Sequence, residues 1–363
     1  MSAANTSIWK RFRKNKLGLI ALVYIAIVSV VALFAYLIIP DKVTHANQVR
    51  LSLALAEPGK SVQVLKVPIQ QNDQGFWLFT GKRNNSNEVP ISSYRIKGDE
   101  LLVKLYPADS IGIEKSYSAS DLGLEKLNEQ SLASRIGIRK FHLGTDKLGR
   151  DMLSRLLLGA RISLSVGIIA VLISLVFGVF MGGLAGYFGG KVDQLIMWLV
   201  NVFWSVPTLL WVIAISLALG KGLWQVYVAV GLSMWVDVAR MLRGQVMSVR
   251  EMQYVSAGQA LGYGSTKIFL KHVLPNSFAP VIVIAASNFA TAILLEAGLS
   301  FLGIGAQPPI PSWGNMIKDH YAYIIMDKAY LAYLPGLAIM SLVLAFMLIG
   351  NALRDVLDVK TEN

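Results

Sequence analysis

A dense group of polar side chains lies between residues 142 and 155, and its residue types could carry out acid–base chemistry. The group consists of His142, Thr145, Asp146, Arg150, Asp151 and Arg155. A histidine or carboxylate held against a substrate can transfer a proton in a transition state. The same residue types also build hydrogen-bonded networks that fix the start of a helix. Because a long apolar run follows directly, we interpret the group as such a network, and a membrane-embedded enzyme is the alternative.

A second candidate is Glu296, the one charged residue between positions 273 and 317. An ionisable residue inside a membrane span is a functional hypothesis by default. Glu296 could line a pathway or carry a proton in a secondary transporter. It could also be a structural acid near the outer end of its helix, which is the interpretation we favour. Asp237 precedes Arg240 by three residues, and this spacing predicts an ion pair near the inner interface.

Trp204 and Pro207 complete the set of candidate pathway residues. Trp204 is one of several tryptophans between 198 and 235, most of which we interpret as packing or interface residues. Binding of peptide side chains is the alternative for them. Pro207 interrupts an uncharged run and predicts a kink there, because proline cannot donate a helical hydrogen bond.

The composition excludes several catalytic and metal-binding classes. The chain has no cysteine, which removes disulfides, thiolate zinc sites, iron–sulfur clusters and cysteine nucleophiles. Its four histidines lack metal-ligand spacing, so we expect no metal site. Gly264-Ser-Thr-Lys267 has the wrong spacing for a phosphate-binding loop. We therefore expect neither catalytic residues nor ATP hydrolysis in this chain.

Charge and hydropathy indicate a membrane protein. Of 363 residues, 54% are hydrophobic and 15% are charged, whereas soluble domains contain about 25% charged residues. The net charge of +12 is typical of cytoplasmic flanks that meet lipid headgroups. The basic residues form no stripe interleaved with aromatic rings, so we expect lipid and no nucleic acid as a partner.

Six stretches could cross a membrane, which predicts an all-α polytopic protein. They are 17–40, 162–186, 194–220, a stretch from 222 that must continue through Asp237 towards Arg243, 277–302 and 331–352. The tail 1–16 carries five basic residues and no acid, which predicts a cytoplasmic N-terminus. Six crossings then place the tail 354–363 and the loop 244–276 in the cytoplasm and the segment 41–140 outside.

The outer segment 41–140 is predicted to be a small, partly β insertion. Apolar residues alternate in Tyr94–Lys97 and again in Leu101–Leu105, and Gly98-Asp99 separates the two runs. This pattern predicts a β-hairpin. We expect further strands at Ser61–Ile69 and Phe76–Thr80, and short helices near 119–135.

Between Tyr254 and Asn276 the sequence is too polar to span lipid and too patterned for a tether. A run of small residues is followed by Gly262, which allows a backbone bend, and by Pro275, which we expect to end one element and start the next helix. The pattern predicts a docking element on the inner side of the membrane. An amphipathic helix lying on the headgroups is the alternative.

Three blocks together resemble one family. They are Phe141–Arg155, which continues to Ser163; Tyr254–Asn276; and Glu296–Gly305 with the following prolines and with Leu353–Asp358. These blocks resemble the inner-membrane permease subunits of ABC importers for dipeptides, oligopeptides and, in some members, nickel. The C-type partner of the two-permease pair is the most similar. The core permease domain would then be 141–353, with five of the six spans.

The resemblance implies the partners and the mechanism. A second permease, two cytoplasmic ABC ATPases and an extracytoplasmic substrate-binding protein would complete an importer of the bacterial inner membrane. The ATPases would use ATP and Mg²⁺, and this chain would bind no cofactor. Peptides, or nickel or another small solute, would cross by alternating access.

The resemblance also assigns the docking segment as the ATPase-coupling element. Its candidate residues are Arg250, Glu251, Tyr254, Ser256, Ala257, Gly258, Ala260, Leu261, Gly262, Lys267, Leu274 and Pro275. The family segment usually begins Glu-Ala-Ala, and here Ser256, Ala257 and Gly258 stand in its place. An ionic contact made by that glutamate is therefore absent, and we expect shape and the neighbouring charges to decide docking.

Overall fold

A computed structural model describes residues 9–69, 77–106 and 114–357, without the side chains of residues 77 and 78. The chain is mostly helical, as predicted. Its main helices are α1 Lys16–Leu33, α2 Met152–Phe188, α3 Gly190–Trp204, α4 Thr208–Leu219, α5 Leu223–Ser233, α6 Trp235–Arg250, α7 Gln253–Ala260, α8 Ser265–Ile268, α9 Ala279–Leu302, α10 Trp313–His320 and α11 Tyr330–Leu357. Shorter helical turns are Ala35–Ile38, Thr44–Ala46, Leu51–Leu53, Trp77–Thr80, Ser120–Leu122, Glu129–Ala133, Phe269–Val273, Leu274–Asn276 and Tyr321–Ile325.

Among the described residues, four helices are long and apolar enough to cross a membrane, namely α1, α2, α9 and α11. The pair α3 and α4 would add a fifth crossing if it counts as one span. The predicted fourth span from residue 222 is not a single helix, because α5 ends at Ser233 and α6 begins at Trp235. Since α6 carries Asp237 and three arginines, it is amphipathic rather than uniformly apolar. Six crossings stay a prediction.

The kink predicted at Pro207 is a full break in the helix. α3 and α4 meet at 93°, and Pro207 precedes α4 with φ −52° and ψ 132°. Proline lacks the N–H that would continue the α3 ladder, and its ring disfavours helical geometry at the preceding residue. The two helices therefore point in different directions, although the sequence between 194 and 220 carries no charge.

The described chain divides into two units. The first comprises 9–29, 162–307 and 337–357. One of its apolar clusters joins α2, α4, α5 and α9, and includes Val166, Val230 and Leu299. Another lies along α6 and includes Val246 and Val281. These clusters pack side chains at helical spacing, so each helix buries one stripe and leaves the opposite side exposed.

The second unit comprises the described residues of 30–161 and 308–336 and contains an antiparallel sheet. Its strands are β1 Lys60–Pro68, β2 Ser86–Lys97, β3 Glu100–Leu105, β4 Glu114–Ser118 and β5 Ile136–Phe141, in the spatial order β4-β3-β2-β1-β5. The predicted hairpin is confirmed, because Lys97 pairs with Glu100 across the Gly98-Asp99 loop. Gly98 has a φ of +64°, which a two-residue hairpin loop requires.

The other predictions for this segment are partly right. The strand expected at 61–69 is β1, and short helices lie at Ser120–Leu122 and Glu129–Ala133 as expected near 119–135. The strand expected at Phe76–Thr80 is wrong for its described part, because Trp77–Thr80 is a helical turn, and Phe76 lies outside the described residues. Its apolar residues run consecutively without the alternation that a half-buried strand needs.

Candidate functional site

The segment 244–276 is helical over most of its length. α6 ends at Arg250, and Glu251 and Met252 turn the chain into α7. Four residues then lead to α8, which continues through a π-helical turn at Phe269–Val273 and the α-helical turn Leu274–Asn276. The next long helix begins at Ala279 with Pro280 in its first turn. Pro275 lies in the first turn of Leu274–Asn276, so it starts a short helical element as expected, and the long helix α9 follows after Ser277 and Phe278.

Apolar side chains hold α7 and α8 against the end of α6. Val255 and Ile268 are buried in one cluster with Val246 and Val249 of α6. Gly258 is also buried and follows Val255 by three residues, so both lie on the same side of α7. The opposite side of α7 is open. Its exposed small residues are Ser256, Ala257 and Ala260.

A Schellman closure ends α7 at Gly262. The Gly262 N–H donates to the carbonyl of Gln259 at 2.9 Å, and the Tyr263 N–H donates to the carbonyl of Gly258 at 3.1 Å. Gly262 has a φ of +77°, the left-handed conformation that this motif requires at that position. The Tyr263 ring covers Gly258, where an added Cβ would lie 3.6 Å from Tyr263 Cδ2. Gly262 thus sets the direction of the turn.

The turn presents apolar side chains to solvent. Leu261 is 74% exposed at its tip, Tyr254 is 43% exposed and Tyr263 is 39% exposed. The Lys267 ammonium lies 3.8 Å above the centroid of the Tyr263 ring, and Asn276 Nδ2 donates to the Tyr254 hydroxyl at 3.2 Å. These contacts hold both tyrosines while their outer surfaces stay free. The tip therefore combines apolar area with an adjacent positive charge.

The remaining coupling candidates surround this turn. Arg250 Nη1 donates to the carbonyl of Tyr187, at the end of α2, at 2.7 Å. Leu274 is half-buried and packs on the α6 cluster. Glu251 and Pro275 are exposed. The structure therefore brings the twelve predicted residues into one contiguous helical segment, with the small residues outward and Gly258 inward.

Glycines of α2 let this helix pack closely against α6 and against Phe269 of the segment 244–276. An added Cβ at Gly182 would lie 2.3 Å from the Ala239 carbonyl oxygen, and one at Gly186 would lie 2.7 Å from that of Arg243. A Cβ at Gly183 would lie 2.8 Å from the Phe269 ring. The backbones of α2 and α6 are thus as close as glycine allows. Close packing of helices therefore explains the spacing of these glycines.

The pathway candidates fall into two places. Trp204 and Pro207 line a cavity of about 210 Å³ at the break between α3 and α4, together with Asp237. Asp237 Oδ1 accepts a hydrogen bond from Trp204 Nε1 at 3.3 Å. The Arg240 guanidinium lies 4.0 Å from the centroid of the Trp204 ring. Within the described part of the chain Asp237 and Arg240 form no ion pair, so that prediction is wrong, and both side chains contact this indole instead.

Glu296 lies in α9 and is fully buried. Its Oε1 accepts a hydrogen bond from Ser300 Oγ at 2.7 Å, and Ser300 Oγ accepts one from the Ala306 N–H at 3.1 Å. This chain of bonds ties the acid to the backbone just beyond the helix. These bonds suit a structural role for Glu296, and that role stays a prediction.

Residues 157–363, more than half of the chain, match the binding-protein-dependent transport system inner membrane component family. The chain belongs to this family. Residues 6–57 match a second description, the N-terminal transmembrane domain of oligopeptide transport permease C. The resemblance drawn from the three sequence blocks is confirmed.

Individual relatives of this permease extend the comparison. The di/tripeptide transport system permease protein DppC of Pseudomonas aeruginosa is 43% identical over 228 residues, which cover 62% of this chain and 75% of that protein. The dipeptide transport system permease protein DppC of Lactococcus lactis is 31% identical over 352 residues, 96% of this chain and 89% of that protein. A chain of the inward-facing MetNI methionine ABC transporter is 20% identical with a TM-score of 0.46, covering 56% of this chain and 97% of that chain.

The polar group at 142–155 organises the backbone before α2. The Asp146 carboxylate accepts hydrogen bonds from the N–H groups of Leu148 and Arg150 and from Arg150 Nε, at 2.9, 2.9 and 2.6 Å. Asp151 Oδ2 accepts from the Ser154 N–H at 2.8 Å, which caps the helix. His142 is exposed while both aspartates are buried. The geometry is that of the structural network, as the sequence interpretation had it.

Within this permease, two features of the site were not anticipated from the sequence. Arg243 Nη2 donates to Asp193 Oδ2 at 2.6 Å and ties α6 to the first turn of α3. Phe203 and Trp211 stack with their centroids 4.5 Å apart and form one wall of the cavity. Asp193 is the one acid between residues 162 and 236. An isolated acid in an apolar stretch is the sequence feature that could have marked it as a candidate. Its partner is fifty positions away, beyond the reach of any spacing rule.

Proposed function

We propose that this chain is one of two permease subunits of an ATP-driven importer of di- and oligopeptides in a bacterial inner membrane. The names of its relatives support the peptide substrate, and the family supports a binding-protein-dependent importer. A sister permease would complete the pathway, and two cytoplasmic ATPases would use ATP and Mg²⁺. A binding protein outside the membrane would deliver the peptide.

The observation that carries the proposal is the exposed turn between α7 and α8. Leu261 and two tyrosines form an apolar tip, and such a surface on a loop favours contact with a soluble protein. The tip stands on a rigid base, because the α6 cluster and the Schellman closure hold it. The small residues on the open side of α7 leave room for a partner to approach closely. We assign this turn as the contact with an ATPase.

The same contacts provide a path for force. A movement of α7 is passed to α6 through Val255 and Val249. It is passed from α6 to α2 through the close contact at Gly182 and to α3 through the ion pair of Arg243 with Asp193. Nucleotide-linked states of the ATPase must bind the turn with different free energies for this path to shift the helices between two arrangements.

The proposal is tested on the complete complex in proteoliposomes, with both permeases, both ATPases and the binding protein. We expect uptake of a labelled dipeptide to require ATP and to persist when the proton gradient is dissipated. Leu261→Asp places a charge on the apolar tip, and we expect it to reduce ATPase co-purification and uptake by about tenfold or more. Leu51→Asp is the matched control, because Leu51 is 68% exposed and lies in the segment expected outside.

Other outcomes contradict particular parts of the proposal. Uptake that survives ATP depletion but not loss of the proton gradient, and that Glu296→Gln abolishes, would establish the secondary transporter. ATP-dependent uptake of nickel without peptide uptake would support the same ATP-driven importer with nickel as its substrate. Equal losses in Leu261→Asp and Leu51→Asp would remove the coupling role of the turn.

A further inference from the structure

The cavity at the break between α3 and α4 has a composition that the coupling role does not explain. Its volume is about 210 Å³, and its lining includes Trp204, Thr208, Trp211, Ser233 and Asp237. Ligand pockets for drug-sized molecules have volumes of roughly 300–1,000 Å³. The cavity is therefore too small for a whole peptide and large enough for one end of it.

The carboxylate of Asp237 is the charged group that faces this space. Trp204 Nε1 donates to its Oδ1, and within the described part of the chain this is the one hydrogen bond that the Asp237 side chain makes. Arg240 does not neutralise it directly, because its guanidinium stacks on the Trp204 ring. Three acceptor positions of the carboxylate remain available. An acid in this setting attracts a cation that can donate several hydrogen bonds.

The walls around the carboxylate suit an organic ammonium group. Phe203 and Trp211 are stacked at 4.5 Å, and the Trp211 Nε1 donates to the Phe203 carbonyl at 3.0 Å, so the aromatic wall is fixed. Aromatic faces attract ammonium groups and also pack against the carbon atoms that carry them. Thr208 and Ser233 add hydroxyl oxygens that can accept further hydrogen bonds.

We propose that Asp237, with the stacked aromatic rings of Phe203 and Trp211, forms a subsite for the primary ammonium group of the transported solute. For a peptide this group is the free amino terminus, and a lysine side chain offers the same chemistry. The inference rests on the proposed function, since it concerns the solute that this importer carries. Its ligand is a cation on a small organic group, held at the wall of the pathway while the rest of the solute lies outside the cavity.

The first experiment measures the charge of the cavity without using transport. The chain has no cysteine, so Thr208→Cys gives a single reporter in the complete complex, read on this subunit by mass spectrometry. We expect a cationic methanethiosulfonate to react faster than an anionic one, and Asp237→Asn to lower this ratio by about tenfold. Asp355→Asn removes an exposed carboxylate of α11 and is expected to leave the ratio unchanged. An equal ratio with and without Asp237 overturns the inference.

The second experiment tests the ligand by protection of the same reporter. We expect Ala-Ala to slow labelling of Thr208→Cys, and N-acetyl-Ala-Ala to have no effect. Protection by N-acetyl-Ala-Lys in addition would assign the subsite to any primary ammonium group, and its absence would assign the site to the amino terminus. Equal protection by Ala-Ala and N-acetyl-Ala-Ala overturns the inference and leaves Asp237 as a structural partner of Trp204.

Transport then separates this inference from the function it rests on. We expect Asp237→Asn to lower ATP-dependent dipeptide uptake roughly threefold to tenfold, and Asp237→Glu to restore most of it. Binding of peptide to the separate binding protein should not change. Wild-type uptake with no effect of Asp237→Asn contradicts the subsite alone, whereas absence of ATP-dependent uptake by the wild type contradicts the proposed function.

Discussion

Gly262 controls the turn between α7 and α8 through its backbone conformation and not through contacts in the space around it. Its φ is +77°, and a Cβ added there would meet no atom within 4 Å. The constraint is therefore conformational, because L-residues avoid the left-handed region. Gly264, two residues later, has a φ of −65° and equally open surroundings. The sequence does not distinguish the two glycines, but only Gly262 adopts the left-handed conformation.

We predict that Gly262→Val destabilises the closure of α7 by roughly 1–2 kcal/mol, because valine must adopt the left-handed conformation. Gly264→Val is the matched control and should cost little, since its backbone is extended. Hydrogen exchange of the peptide 253–263 measures the difference, and we expect faster exchange in Gly262→Val alone. Similar exchange in both variants would show that the turn does not depend on this conformation.

The partner of Asp237 comes from another helix. Its spacing to Arg240 predicts an ion pair, yet Trp204 of another helix takes both side chains, one through its N–H and one through its ring. A cation over an indole and a carboxylate on its N–H are each favourable. The spacing of residues within α6 could not reveal Trp204 as a partner, because Trp204 lies thirty-three positions earlier in the chain.

The contact of α2 with α6 depends on glycine positions four residues apart. Gly178, Gly182 and Gly186 follow one face of α2, and added Cβ atoms there would lie within 3 Å of α6. Without a hydrophobic driving force between helices in lipid, such close packing is a main source of association. This contact also transmits movement from the coupling turn in the proposed mechanism.

We predict that Gly182→Ala lowers the stability of the purified permease by about 1–3 kcal/mol, because α2 and α6 must separate to admit one methyl group. Gly298→Ala is the control, since Gly298 lies in helix α9 and a Cβ there meets no neighbour within 4 Å. Alanine should be neutral or slightly stabilising at that position. Thermal unfolding in detergent measures both variants, and a loss confined to Gly298→Ala would contradict the packing argument.

The two units of the chain differ in kind. The first consists of helices with apolar surfaces suited to lipid, and the second contains a five-stranded sheet with its own apolar core around Leu65, Leu101 and Val103. The alignment with the Lactococcus protein covers 96% of the chain, so that relative carries most of the segment 41–140 as well. We propose that this segment lies outside the membrane and that the coupling turn lies in the cytoplasm.

Cysteine labelling tests this arrangement, because the chain has no cysteine of its own. Asp99→Cys is at the exposed tip of the hairpin and Leu261→Cys is at the exposed tip of the coupling turn. We predict that a membrane-impermeant maleimide labels Asp99→Cys in intact spheroplasts and labels Leu261→Cys only after permeabilisation. The reverse pattern, or labelling of both in intact spheroplasts, would contradict the six-span topology.

Several features could be derived from the sequence because they depend on neighbours along the chain. The hairpin at Gly98-Asp99 followed from alternation and a two-residue loop. Membrane character followed from long uncharged stretches. The strand expected at 76–80 failed for the same local reason, since its apolar residues do not alternate.

Contacts between residues far apart in sequence could be found only in the folded structure. The ion pair of Arg243 with Asp193, the indole shared by Asp237 and Arg240, and the cavity at the break before α4 each need two or more helices in place. The local pattern sets what each segment can form, because hydrogen bonds and burial periods act over a few residues. Which side chains then meet depends on how the helices pack, and packing is a property of the folded chain as a whole.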